Sequence, residues 1–177
     1  AHIYGVEIQK EVYSLGKISI NENNMTEQIS LINDDANNLT NIFNSDTFDV
    51  IVCNPPYFKT NNILFENNNN IKSLARHEKS LVLEDVFRIS RVLLKNNGRL
   101  AIVHRSERFM EILLLMKKYN IEPKKVRFVY PNREKNSDLV LIEGTLNGKS
   151  GLKILKPLFI YDRDNFYTKE VENMFGE

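Results

Sequence analysis

The 177 residues are 42% apolar with a net charge of +1, which is enough to bury one substantial core and suits a single domain, residues 1–177, better than two. One cysteine, Cys53, excludes an internal disulfide framework and a cysteine-based zinc cluster, and the scattered His2, His77 and His104 show no metal-ligand spacing. No apolar run reaches the ~18 residues of a membrane span and no signal-peptide pattern opens the chain, so the expectation is a soluble cytoplasmic unit.

Residues 3–7 (Ile-Tyr-Gly-Val-Glu) are a short apolar run ending in an acid, and Ile8, Val12, Leu15 and Ile18 follow at spacings of three and four. This predicts a strand feeding a helix. Ile29–Ile32 predicts a second strand before a polar turn, and Phe48–Cys53 a third before a Pro-Pro loop. The polar stretch 58–78, with Asn67–Asn70 inside it, reads as a mobile loop beside the site. Beyond it the pattern predicts a helix near 79–95, a strand near 99–104 and a helix near 106–119. Strands at 125–130 and 139–145 follow, separated by a Pro-Asn loop. Strands alternating with helices predict an α/β fold whose mostly parallel sheet is covered on both faces. The chain opens on a strand without a preceding helix or Gly-rich turn, which reads as truncation.

The near-neutral total hides a separation of charge. Residues 1–88 hold 7 basic and 12 acidic residues and residues 89–177 hold 17 and 11, so the halves carry −5 and +6. Between 88 and 135 there are 13 Lys/Arg against 4 Asp/Glu, including Lys117, Lys118, Lys124, Lys125, Arg127, Arg133 and Lys135. Such a segment suits a phosphate backbone, and equally a solvated helix face and loop.

The most specific motif is Asp49-Val-Ile-Val-Cys-Asn54-Pro55-Pro56-Tyr57, an apolar strand delivering an Asn, two prolines and an aromatic ring to its carboxyl end. Ligands of open α/β sheets bind at those ends. The prolines stiffen the loop, and Pro55 keeps its carbonyl while donating nothing. The Asn54 amide oxygen and the Pro55 carbonyl can therefore converge on one NH₂ group. An amino group on an adenine ring is a poor nucleophile because its lone pair is delocalised. Two acceptors holding both N–H bonds favour a pyramidal nitrogen, and that stabilisation grows as charge develops. Tyr57 offers a ring on which a flipped-out base stacks. A rigid turn capping a strand is the plainer reading of the same residues. Cys53, inside an apolar strand, reads as a buried, inert thiol.

With Asn54-Pro55-Pro56-Tyr57 the chain resembles the Rossmann-like class I methyltransferases of amino groups, whose fourth motif is [Asn/Asp/Ser]-Pro-Pro-[Tyr/Phe/Trp]. The resemblance implies a mostly parallel sheet with an antiparallel C-terminal strand and S-adenosylmethionine as cofactor. Gly5-Val6-Glu7-Ile8-Gln9 looks like the family's second strand, whose terminal acid, here Glu7, binds the cofactor ribose hydroxyls. Asn33-Asp34-Asp35-Ala36 resembles the end of its third strand. Asp35, with Ala36 beside it, takes the role of accepting from the cofactor adenine, and Asp34 stays open as the alternative.

Three further stretches, Ala75-Arg76-His77-Glu78, Gly98–Arg105 and Leu152–Tyr161, resemble the tRNA1(Val) (adenine-37-N6)-methyltransferase group. The similarity runs from residue 3 to about 172 and implies a tRNA partner. Pro56, Tyr57, Arg76 and His77 would touch the substrate, and the satisfied structural role is the expectation for His104. The family's first motif would precede Ala1, so the domain is expected to be truncated before its second strand, with weak cofactor binding as a result. Methylation of a protein glutamine by the same two acceptors, and RNA binding without catalysis, are the alternatives.

Overall fold

The computed structural model describes residues 1–55, 81–163 and 166–176, which fall into two compact units, 1–44 and 45–177. In the first unit β1 (Ile3–Val6) and β2 (Ile29–Ile32) pair in parallel, joined by α1 (Lys10–Glu22). A Cβ on Gly5 or Gly16 would stand 2.6 and 2.8 Å from the two δ-methyls of Leu31. Those two glycines therefore let the helix and the strand close on that one side chain. Asn24, at φ 56°, ends α1 in the left-handed conformation. The Met25 N–H reaches the Ile20 carbonyl at 2.9 Å and the Asn24 N–H that of Asn21 at 3.1 Å, the double closure of a Schellman end. A 3-10 turn (Ala36–Asn38) and a single helical turn, α2 (Leu39–Ile42), complete the unit.

The predicted α1 stripe is present, but Ile8, Val12, Leu15 and Ile18 are all exposed. Two strands and one crossover are too little chain to bury an apolar stripe.

The second unit is one mixed sheet in the order β3-β4-β6-β5-β7, with β8 also on β5. Its strands are β3 (Phe48–Cys53), β4 (Leu94–Arg105), β5 (Ile121–Tyr130), β6 (Leu139–Leu146), β7 (Lys153–Ile154) and β8 (Leu158–Phe159). β3 and β4 are parallel, and β6 runs antiparallel to both β4 and β5. β7 and β8 are parallel to β5. β6 is the antiparallel strand that the resemblance implied. Since β4 and β5 both oppose β6, the carboxyl ends of β3, β4, β5 and β8 share one edge of the sheet.

Helices α3 (Leu83–Leu93) and α4 (Phe109–Lys118) both pack on the face carrying Leu100, Ile102, Val126, Val140 and Ile142. Phe87, Ile112 and Met116 fill the middle of this core. A smaller cluster of Val129, Leu158 and Val171 seats α5 (Lys169–Phe175). Covering on both faces is not what the described residues show at β3, where Val50 and Val52 are exposed, Val52 by 73%. The reason is that α3 and α4 lie on the same face.

Two boundaries also differ from the sequence pattern. β5 begins at Ile121, four residues earlier than expected, because its register slips between Pro123 and Lys125. A bulge is where a strand tolerates a residue without an N–H. β4 begins directly after α3, and Asn97, at φ 65°, lies in the irregular stretch before its main ladder.

Candidate functional site

β3 ends at Cys53 and hands the chain to Asn54, which is exposed, and Pro55, which is buried. The motif's first residue therefore faces solvent at the carboxyl edge while the next one anchors the loop in the core. Burial pushes the Cys53 thiol up to about 11, as expected of an inert packing residue. Pro56, Tyr57, Arg76, His77 and the 58–78 loop lie outside the described residues.

On the neighbouring strand end, His104 is fully buried and its Nδ1 accepts the Arg105 N–H at 2.8 Å. Arg108 approaches Nε2 at 3.4 Å and is itself paired with Glu111. Burial, then the Arg108 charge, hold the imidazole below its ordinary pKa. A buried neutral ring with a backbone donor is the structural histidine anticipated from the sequence.

The first unit assembles its acids in the same way, at the carboxyl ends of adjacent parallel strands. Glu7 follows β1, its N–H bonded to the Ile32 carbonyl at 3.0 Å, and its Oε1 accepts the Gln9 N–H at 2.7 Å. Asp34 Oδ1 accepts the Asp35 N–H and Asn38 Nδ2, both at 2.7 Å. Asp35 caps the 3-10 turn, its Oδ1 accepting from the Asn37 N–H at 2.8 Å, with Ala36 next in the turn. Each carboxylate thus spends one oxygen on a local turn. The second oxygens, Oε2 of Glu7 and Oδ2 of Asp34 and Asp35, make no hydrogen bond among the described residues.

Sequence reasoning passed over Asn33 as a side chain. Its Nδ2 donates to the carbonyls of Glu7 at 2.8 Å and Ile8 at 3.2 Å, tying the two strand ends together. A polar residue directly after an apolar strand, level with the acid of the next, was the available signal.

The profile of the Eco57I restriction-modification methylase family matches residues 1–134, three quarters of the chain and both of its units. The chain belongs to that family. Similar to this chain is a tRNA1(Val) (adenine(37)-N6)-methyltransferase of Flavobacterium psychrophilum. It is 27% identical over 128 residues, covering 71% of this chain and 51% of the relative. Its namesake in Porphyromonas gingivalis is 26% identical over 123 residues, covering 68% and 47%. The chain spans about half the length of these curated relatives.

Among solved structures, a protein described as a predicted O-methyltransferase from Agrobacterium tumefaciens is similar with TM-score 0.76 at 14% identity. The similarity covers 99% of this chain and 77% of that one. A geranyl diphosphate C-methyltransferase from Streptomyces coelicolor gives 0.59 at 12%, over 82% and 65%. The fold of this methylase-family chain is the Rossmann-like class I methyltransferase fold.

The basic segment, which suits a phosphate backbone or a solvated face equally, is largely engaged with the chain's own acids and carbonyls. Lys117 and Lys118 end α4 just before the amino end of β5, away from the edge that carries Asn54, while Lys124 and Lys125 lie in mid-strand, Lys125 level with Val52 of β3 through Glu143 and Ala101. Lys117 is paired with Glu122 at 2.6 Å, Lys118 with Glu84, Lys125 with Glu143 at 3.0 Å and Arg127 with Glu170 at 2.6 Å. Lys124 donates to the Lys149 carbonyl at 3.0 Å. Spacing counts cations without showing which strand end they occupy. A cleft of about 280 Å³ lined by Lys117, Asn120, Ile121, Glu122, Asn147 and Gly148 lies at this same amino end, away from the motif.

Proposed function

We propose that the protein transfers a methyl group from S-adenosylmethionine to an exocyclic amino group, adenine N6 of a tRNA being the substrate, and that residues 1–177 belong to one methyltransferase domain. The observation that carries the reading is Asn54, exposed at the carboxyl end of β3 and followed by the buried Pro55. The family match running unbroken across residues 44 and 45 supports the single domain. The names of the relatives support the tRNA adenine.

The acids fit the cofactor by donor set. Glu7 has an acceptor oxygen for ribose hydroxyls, and Asp35, with Ala36 beside it, has one for an adenine amino group. Asp34 offers the same chemistry as the alternative. The cofactor supplies an electrophilic methyl on a sulfonium. Asn54 and the Pro55 carbonyl hold the two N–H bonds of the substrate amine, Tyr57 stacks the extruded base, and Pro56, Arg76 and His77 are the further candidates for substrate contact. No strong base is required, since the amine loses its proton after its nitrogen has gained the methyl.

The test is nucleoside mass spectrometry of tRNA from a deletion strain beside its parent: an N6-methyladenosine should disappear. In the purified enzyme Asn54→Ala should lower the methylation rate ~10²–10³-fold with cofactor binding little changed. A rate within a factor of three of the parent refutes the Asn54 role. A second reading, methylation of a protein glutamine amide, draws support from the ion pairing of Lys117, Lys118, Lys125 and Arg127. An unchanged nucleoside profile would favour it.

A further inference from the structure

We propose that His104 is a positioning residue for the acceptor pair at Asn54 and Pro55, its uncharged ring being the form that holds the Pro55 carbonyl in place. The expected effect on rate rests on the methylation reading above. β3 and β4 run parallel, with Ile51 beside Leu100 and Cys53 beside Ile102. Carried two residues further, the same register sets Pro55 level with His104, and alternation along both strands puts the two on the core face of the sheet. Both are fully buried, so neither has solvent into which it can move.

The two flanks of the ring differ in how firmly they are held. On one side His104 pairs with Val140 of β6, and Val140 pairs in turn with Phe128 of β5. Ladders on both edges of β6 close that side. On the other, Pro55 lies beyond Cys53, the last residue of β3 in register with β4, and its nitrogen has no proton to donate to a ladder. The Pro55 side is therefore the one that yields when the ring is disturbed.

Protonation supplies the disturbance. Nδ1 accepts the Arg105 N–H at 2.8 Å, which leaves the proton of the neutral ring on Nε2. Arg108, 3.4 Å from Nε2, stands there as a charge rather than a bonding partner. It is held in place, its Nε donating to Glu111 Oε2 at 2.8 Å and a terminal nitrogen to Oε1. A proton added at Nδ1 breaks the Arg105 bond and sets a second cation against that guanidinium. The charged groups facing the ring are Arg105 on its own strand, Glu107 and Arg108 in the turn Ser106–Arg108, and Glu111 on α4. From β3 the Cys53 thiol is neutral at physiological pH, and Val140 and Phe128 bring no charge from β6 and β5. Burial and the Arg108 charge outweigh the two glutamates, so the ring stays neutral to below its ordinary pKa. Below that point the ring shifts toward Pro55 and the acceptor pair is misplaced.

The test is a pH titration of the isotopically labelled chain by nuclear magnetic resonance. As pH falls below about 6.5, the Pro55 carbonyl and Asn54 side-chain amide resonances should move with the midpoint of the His104 ring. The Val140 amide, level with the ring on the other flank, should move little, which separates displacement from the field of the new charge. His104→Gln, whose neutral amide oxygen can still accept the Arg105 N–H, should leave Pro55 and Asn54 fixed across that range. In the purified enzyme kcat at saturating tRNA should fall about tenfold per pH unit below the midpoint with KM for S-adenosylmethionine unchanged, and His104→Gln should flatten the fall. A histidine that served packing alone would lower the unfolding midpoint without moving these resonances. Pro55 and Asn54 resonances that ignore the ring titration overturn the proposal, as do shifts of equal size in His104→Gln. A ring that stays uncharged until the fold is lost in acid overturns it as well. If Pro55 follows the ring but no tRNA adenine is methylated, the methylation reading falls and the positioning role stands; adenine methylated with Pro55 unmoved is the converse.

Discussion

Gly144 on β6 is where a single methyl group would disturb the sheet most. β6 lies between β4, which neighbours the Asn54 strand, and β5, which carries the aromatic end, so its spacing sets both. A Cβ built on Gly144 would lie 2.1 Å from Met116 Cε, 2.7 Å from Ile121 Cγ2 and 3.1 Å from the Glu122 carbonyl oxygen. Met116 and Ile121 are fully buried. The methionine tip can swing aside, whereas the isoleucine methyl and the backbone oxygen cannot move without shifting β5.

Overpacking of this kind costs ~1–3 kcal/mol, offset by the ~0.5–1 kcal/mol that alanine gains over glycine within a strand. The net expectation for Gly144→Ala is a loss of about 1–2 kcal/mol. Met116→Ala empties a buried site and should cost about 2–5 kcal/mol. Since Met116 is the nearest obstacle, the double variant should lose about 1 kcal/mol less than the sum of the singles. Urea unfolding of the four proteins measures this, with midpoints moving at constant m. Gly144→Ala as stable as the parent, or strict additivity in the cycle, would refute the packing.

His104 makes stability depend on pH. Its folded pKa is lowered, so the stability it contributes is present above its unfolded value of about 6.5 and is lost as pH falls below it. The groups facing it are Arg108, Glu111, Glu107 and Arg105. The urea midpoint should fall between pH 6.5 and 5, and His104→Leu should flatten that fall. A midpoint that rises on acidification contradicts the assignment. Neutralising Lys124 and Lys125 together should leave the salt dependence of RNA binding unchanged, because Lys125 is already paired with Glu143 and Lys124 donates to the Lys149 carbonyl. A slope shallower by one or two units would put phosphate there after all. Cys53 should react with a thiol reagent at pH 8 only as the protein unfolds, its thiol standing at about 11; rapid stoichiometric labelling of the native chain would refute its burial.

The sequence by itself determined the local elements and the chemistry at their ends. Alternation of period separates strands from helices, an acid after Val6 and a pair of acids after Asn33 end two of the strands, and Asn-Pro-Pro ends a third. These signals are short-range, because backbone geometry repeats every two or 3.6 residues and caps act within a turn. Tertiary structure alone decided which end of the sheet each residue occupies. Lys117 and Arg133 both belong to the basic segment, yet they stand at opposite edges because β5 spans the sheet between them, Lys117 before its first residue and Arg133 after its last. It also brought Tyr161, Tyr167 and Phe175 together, a contact that depends on β8 adding to β5 and on Val171 seating the last helix. Such pairings are set by burial and strand register across long separations, and no local pattern encodes them.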